Sequence, residues 1–220
     1  MSGRNEIAAL KARWVAEALA SADRAFAEMN PVAALQGKPP PNPFISPFGE
    51  HNGYADFRYL SLGVTPAYRT IERADLTGAT DARNGQLGRC TLIDCRLDKA
   101  SMETNLGEKV HRCSFVAAKL THTTLRGEFV DCDFSRCDLS YSGGSQLKFT
   151  RCCFVGARFV GARLQRSRFE DCRWEDAKIG NAAFAHAHFV GRWPTPEQLG
   201  DAMVPGAVFD PGASAGMSHT

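Results

Sequence analysis

The chain has 220 residues, 44% of them hydrophobic, and its 26 Lys or Arg against 24 Asp or Glu give a net charge of +2. This length fits one or two domains, and the apolar content excludes a wholly disordered chain. No apolar run approaches the roughly 20 residues that span a bilayer, and the N-terminus lacks the apolar core and cleavage site of a signal peptide. A cytoplasmic location with no membrane partner is therefore the default expectation.

In chain order, Ile7, Leu10, Trp14, Val15, Leu19, Ala22, Phe26 and Met29 recur at helical spacing. They predict one amphipathic helix over about 5–29, stopped by Asn30-Pro31. Its apolar face is expected to close the open end of the C-terminal remainder of the chain; binding a partner or a membrane surface is the alternative. Lys38-Pro39-Pro40-Pro41-Asn42-Pro43 reads as a stiff extended connector, so 1–43 form a cap unit. From Phe44 to Ile71 the pattern is poor, although Ala55-Asp56-Phe57 with Leu62 five later fits a degenerate first copy of a five-residue repeat.

The rest of the chain has period five. Every fifth residue from Phe134 gives Leu139, Gly144, Phe149, Phe154, Phe159, Leu164, Phe169, Trp174, Ile179, Phe184 and Phe189. Two residues ahead of these runs a second series, including Cys132, Cys137, Ser142, Cys152, Ala157, Ala162, Ser167, Cys172, Ala177, Ala182 and Ala187, with Leu147 its one large member. Neither a helix nor a flat strand repeats at five. A fixed period signals a solenoid held together by contacts between neighbouring coils. The large centre and its small companion must point inward, each large centre burying area worth about 1.5–3 kcal/mol. Toward the N-terminus the centres are Leu76, Leu87, Leu92, Leu97, Met102, Phe115, Leu120, Leu125 and Phe129, with one-residue slips and a break at Asn105–His111. That break predicts a bulge or protruding loop over Thr104–Arg112, a candidate contact site. After Phe189, Thr195 and Gln198 form a capping box with Pro196 in the first helical position, which predicts a short helix. Val204 and Phe209, with Ala202 and Ala207 two before them, add a last partial coil. The repeat unit is thus expected over 44–210, and 211–220 are expected to be a disordered tail.

The triplets Ala74-Asp75-Leu76, Cys132-Asp133-Phe134 and Cys137-Asp138-Leu139 make the chain resemble the pentapeptide-repeat family. The resemblance covers about half the chain. It implies an all-β solenoid, a right-handed quadrilateral β-helix with four pentapeptides per coil, so that residues twenty apart stack on one face; the N-terminal helix and short C-terminal helix cap it.

Seven of the eight cysteines, all but Cys153, fall on small inward positions. Cys132, Cys152 and Cys172 should form one interior column, where a thiol acts as a small hydrophobe and a tetrahedral metal site cannot form. His186 and His188 read as surface imidazoles. The sequence has no nucleophile elbow, P-loop, dinucleotide fingerprint or His-Glu-x-x-His motif, and a filled solenoid leaves no internal pocket. No catalytic residue, metal, cofactor or small-molecule substrate is therefore expected.

Function must then lie on the outer surface. The resemblance implies one established role, mimicry of duplex DNA by an acidic rod that binds DNA gyrase or topoisomerase. From Ala74 to Gly191, however, seventeen Lys or Arg face fourteen Asp or Glu, a net positive charge that a basic DNA groove repels. The leading expectation is a bacterial immunity protein that sterically covers a cognate, secreted, nuclease-like toxin; the DNA mimic is the alternative. Direct nucleic-acid binding is disfavoured by the modest charge, and a second copy docked through an end cap is a further option. Candidate partner-binding residues are Glu108, Lys109, His111, Arg112, Lys148, Arg158, Arg168, Lys178, His188 and Trp193.

Overall fold

A computed structural model describes residues 3–27, 30–39 and 43–212. Helices α1 (Gly3–Ala12), α2 (Ala16–Ala25) and α3 (Pro31–Leu35) precede the short strands β1 (Glu50–His51), β2 (Tyr54–Asp56), β3 (Thr70–Glu72), β4 (Ala74–Asp75), β5 (Leu87–Ile93), β6 (Asn105–His111), β7 (Thr124–Leu125) and β8 (Glu128–Val130). β9 (Lys148–Thr150), β10 (Arg168–Glu170) and β11 (His188–Val190) come next, then α4 (Pro196–Leu199) and β12 (Val208–Asp210). The strands β3, β5, β6, β8, β9, β10, β11 and β12 stack in that order as one parallel ladder. Each is one side of one coil, so the chain is a β-solenoid of eight coils. No helix among the described residues is long and apolar enough to cross a membrane.

Period five becomes structure through one repeated turn. The residue two after each centre lies in the left-handed region, as at Asp131, Arg136, Tyr141, Gln146 and Arg151 with φ between 52° and 59°. At the corners after Phe134, Leu139, Phe154, Phe159, Trp174 and Ile179 the next residue returns its N–H to the centre carbonyl, as Cys137 does to Phe134 at 3.0 Å. That is a β-turn with its third residue left-handed, and it costs about 1–2 kcal/mol per non-glycine residue. Stacking offsets the cost, because the remaining N–H groups bond to the next coil and the centres pile into columns. Ile71, Leu92, Val110, Phe129, Phe149, Phe169 and Phe189 form one such column and are fully buried or nearly so. The other centres Leu97, Phe115, Leu120, Phe134, Leu139, Phe154, Phe159, Leu164, Trp174, Ile179 and Phe184 are buried as well, together with Cys132, Cys152 and Cys172.

The stacking interval is twenty residues from Phe129 onward. Before that it varies: Ala55 pairs with Ala74, Thr70 with Thr91, Leu92 with Val110 and Val110 with Phe129. The expected loop over Thr104–Arg112 is corrected by this ladder. Asn105–His111 is a strand paired on both sides, with Leu106 and Val110 both inward although only four residues apart. Gly107, at φ 93°, takes up the missing residue in a conformation that favours glycine. The weak first copy is a real coil: Phe57, Leu60, Leu62 and Ile71 are buried and β2 pairs parallel with β4. At the centre Gly144, Leu147 fills the space; a Cβ on Gly144 would lie 2.8 Å from Leu147 Cδ1.

The single N-terminal helix is also corrected. α1 and α2 are separated at Arg13–Val15, where Val15 is extended as the N-cap of α2. Tertiary contacts override the helical pattern: Arg13 donates to both Asp56 carboxylate oxygens at 2.7 and 2.6 Å, and Trp14 Nε1 donates to the Arg58 carbonyl at 2.8 Å. Asn30-Pro31 starts a helix rather than ending one, since the Asn30 side chain accepts from Val32 and Ala33. Phe26, Phe44 and Trp14 close over Phe57 with ring centroids 4.8–6.4 Å apart, so α2 and the Phe44 segment cover the first coil. Met29, Pro40–Asn42 and the tail 213–220 lie outside the described residues. At the other end the Thr195–Gln198 capping box forms, Gln198 ties α4 to the Trp174 carbonyl at 2.6 Å, and Phe209 ends its column partly exposed.

Candidate functional site

Four columns of centres define four sides. The first carries the strand ladder, the second Phe134, Phe154 and Trp174, the third Leu139, Phe159 and Ile179, and the fourth Leu125, Gly144, Leu164 and Phe184. The ten candidate contact residues divide among them. Glu108 and Lys109 are exposed on β6 and, with Lys148, line a shallow cavity of about 220 Å³ on the first side. His111 Nε2 lies 3.2 Å from Glu128. Lys148, Arg168 and His188 stand in register on successive strands, with Arg168 Nη1 2.8 Å from His188 Nδ1. Arg158 and Lys178 lie on the third side, and Trp193 is half-buried against Phe209 at the C-terminal end. These residues do not converge on one patch.

Arg112 belongs to a ladder. Along the corner between the first and second sides, Arg73, Asp94, Arg112, Asp131, Arg151 and Asp171 alternate in charge, every one with positive φ. Arg112 grips Asp94 at 2.6 and 2.9 Å, and Arg151 grips Asp131 at 2.7 and 2.8 Å. The arginine hydrogen bonds hold both carboxyls below the usual carboxylate range. The sequence shows only Asp131, Arg151 and Asp171 at twenty-residue spacing; the shorter early coils hide the rest. The same irregularity hides two members of the thiol column, where Cys95 and Cys113 continue Cys132, Cys152 and Cys172.

The fourth side has a different character. Its outward residues flanking the centres are Thr124, Arg126, Gly143, Ser145, Arg163, Gln165, Ala183 and Ala185, none of them acidic. Its next corner carries Glu108, Gly127, Gln146, Arg166 and His186, so Glu108 is the one carboxylate there. Arg163 and Arg166 are exposed and have no carboxylate partner among the described residues, and neither do Arg126 and Arg89. At its N-terminal end, where β5 and β6 shift register between Gly88 and Thr91, a cleft of about 320 Å³ is lined by Thr65, Ala67, Tyr68, Gln86, Gly88, Arg89, Asn105 and Arg126. None of these was a sequence candidate, because Arg89 and Arg126 fall in coils of irregular length. Among the described residues no group of three His, Cys, Asp or Glu side chains is placed to hold a metal ion.

A sequence model of pentapeptide repeats, in eight copies, matches residues 128–166. A search of the curated proteins found no match. Among solved structures, HetL, a pentapeptide-repeat protein involved in heterocyst differentiation regulation from the cyanobacterium Nostoc sp. strain PCC 7120, is 12% identical over 71% of this chain and 86% of its own, with a TM-score of 0.42. A trypsin-treated form of QnrB1, a plasmid-mediated fluoroquinolone resistance protein, is 14% identical over 71% of this chain and 78% of its own, with a TM-score of 0.40. The matched repeats fall on coils whose centres, small companions and left-handed corners recur every five residues, so residues 128–166 are a run of pentapeptide repeats within the solenoid.

Proposed function

We propose that this chain is a non-enzymatic, protein-binding rod that works by covering one partner, and that the partner is a toxin held inactive by steric occlusion. The observation that carries the reading is the fourth side, whose outward residues flanking the centres from Gln86 to Ala185 include Arg126 and Arg163 and no carboxylate. Such a side complements an acidic protein surface and speeds encounter with it. It is the opposite of the dense negative surface that mimicry of duplex DNA requires. The columns of centres fill the interior, which leaves the outer sides for recognition.

The test pairs two assays. Each product of the genes adjacent to this chain's own is expressed alone and with it; co-expression should restore growth to cells that one of them poisons, and that purified pair should form a complex that Arg163→Glu/Arg166→Glu weakens. In parallel, the wild-type protein should leave gyrase supercoiling unchanged at equimolar concentration. Inhibition or protection of gyrase, strengthened by the same charge reversal and weakened by neutralising Asp131, Asp133 and Asp138, would overturn the reading in favour of the DNA mimic.

A further inference from the structure

We propose that the cleft at the β5–β6 register shift is a receptor for the carboxylates of an acidic segment of the protein partner. The inference rests on the protein-binding reading above and names what one part of the surface binds.

Arg126 Nε donates to Asn105 Oδ1 at 3.3 Å. A guanidinium has no acceptor, so this bond fixes the orientation of the Asn105 amide. Asn105 Nδ2 in turn donates to Gln86 Oε1, which leaves the Gln86 NH₂ group as the free end of the relay. On the opposite wall Arg89 Nη1 donates to the Tyr68 hydroxyl at 3.4 Å. The acceptor oxygens of Asn105, Gln86 and Tyr68 are therefore all engaged by donors within the chain. The side-chain donors left for a ligand are both Nη of Arg126, Nε and Nη2 of Arg89, the Gln86 NH₂ and the Tyr68 O–H. A lining in which these donors outnumber the acceptors, with Thr65 as the one further polar side chain and two arginines without a carboxylate partner among the described residues, selects an anion, and charge-assisted bonds from a guanidinium fork suit a carboxylate.

Shape favours a chain segment. Gly88, Gly107 and Arg126 occupy equivalent positions on three successive coils, as the pairings Gly88–Gly107 and Leu106–Leu125 show. The two guanidinium-bearing stems thus stand about two strand spacings, or about 10 Å, apart. That exceeds the width of one carboxylate and matches acidic side chains two or three residues apart on an extended segment, which advances about 3.3 Å per residue. The cleft exists because Gly88 has no side chain: a Cβ there would lie 2.8 Å from Asn105 Cβ.

The probe is a fluorescein-labelled hexaglutamate peptide, with hexaglutamine as the uncharged control and inorganic phosphate as competitor, followed by fluorescence anisotropy in about 0.1 M salt, where long-range attraction is largely screened. Hexaglutamate should bind and hexaglutamine should not. Arg89→Gln/Arg126→Gln should weaken binding about tenfold or more, as expected for charge-assisted hydrogen bonds. Asn105→Asp, which gives the cleft its own carboxylate, should do the same, while each variant keeps the wild-type melting temperature. Arg163→Gln/Arg166→Gln, outside the cleft, should weaken binding less than about threefold, the residue of screened long-range attraction. Equal weakening by both arginine pairs, absence of hexaglutamate binding, or binding of phosphate in preference to the peptide would each overturn the proposal. A toxin held equally well by the wild type and both cleft variants would sink the cleft and leave the covering reading standing. Hexaglutamate bound at the cleft by a chain that neutralises no toxin would do the reverse.

Discussion

Replacing Phe169 by Ala in mid-column tests the inward assignment and the neighbour-contact account of stability together. Phe169 is fully buried. It stacks between Phe149 and Phe189, each 5.0 Å away, and meets Phe154, Trp174 and Phe184 edge-on or tilted at 5.2–6.3 Å. Phe→Ala in a core costs about 3–5 kcal/mol, and the cost rises where the surroundings cannot collapse into the cavity. Strands held at fixed spacing on both sides prevent collapse here, so the upper part of that range, about 4–5 kcal/mol, is expected. Phe209 supplies the comparison, since it ends the same column, stacks on Phe189 at 5.1 Å, meets Trp193 edge-on at 5.8 Å and is 36% exposed. With two aromatic neighbours instead of five and partial exposure, Phe209→Ala should cost about 1–2 kcal/mol. Denaturant melts followed by far-UV circular dichroism would measure both, and because solenoid coils interact chiefly with neighbours, Phe169→Ala should also broaden the transition. Equal losses at the two positions would refute the account.

The N-terminal latch titrates. Burial pushes the Asp56 carboxyl up, but hydrogen bonds from Arg13 and Arg58 outweigh it and hold the group well below the usual carboxylate range. A depressed folded pKa stabilises above the unfolded value of about 3.9, and that contribution is lost as pH falls below it. Asp56→Asn should therefore lower stability by about 2–3 kcal/mol at pH 7, less than for a fully buried pair because both arginines are partly exposed, and its melting temperature should fall less steeply below pH 4 than that of the wild type. A parallel acid profile in the two proteins would show the latch to be inert. Thiol labelling of the native protein should modify Cys153, which is half-exposed beside Ser135, well ahead of the seven buried cysteines. Burial raises the Cys90 thiol to about 12 and the Cys137 thiol well above its ordinary value. Cys132 and Cys172 are buried from reagent, so their rapid native labelling would contradict the interior column.

Period five from Phe134 to Phe189 determined the solenoid, because only inward-facing centres with small companions satisfy it, and those residues carry the regular twenty-residue coils. The capping box at Thr195 was equally legible, since a cap depends on residues three apart and on nothing distant. The tertiary structure decided whatever depended on coil length. β6 became a strand rather than a loop because Gly107 lets Leu106 and Val110 both turn inward. The helical pattern over 5–29 broke at Arg13 because Asp56, forty-three residues away, binds its guanidinium. The charged corner from Arg73 to Asp171, the five-thiol column and the cleft between Arg89 and Arg126 join residues 18 to 21 apart in sequence or at sums of such steps. A sequence displays a period only where it is constant; where the coils lengthen and shorten, backbone pairing alone records which side chains meet.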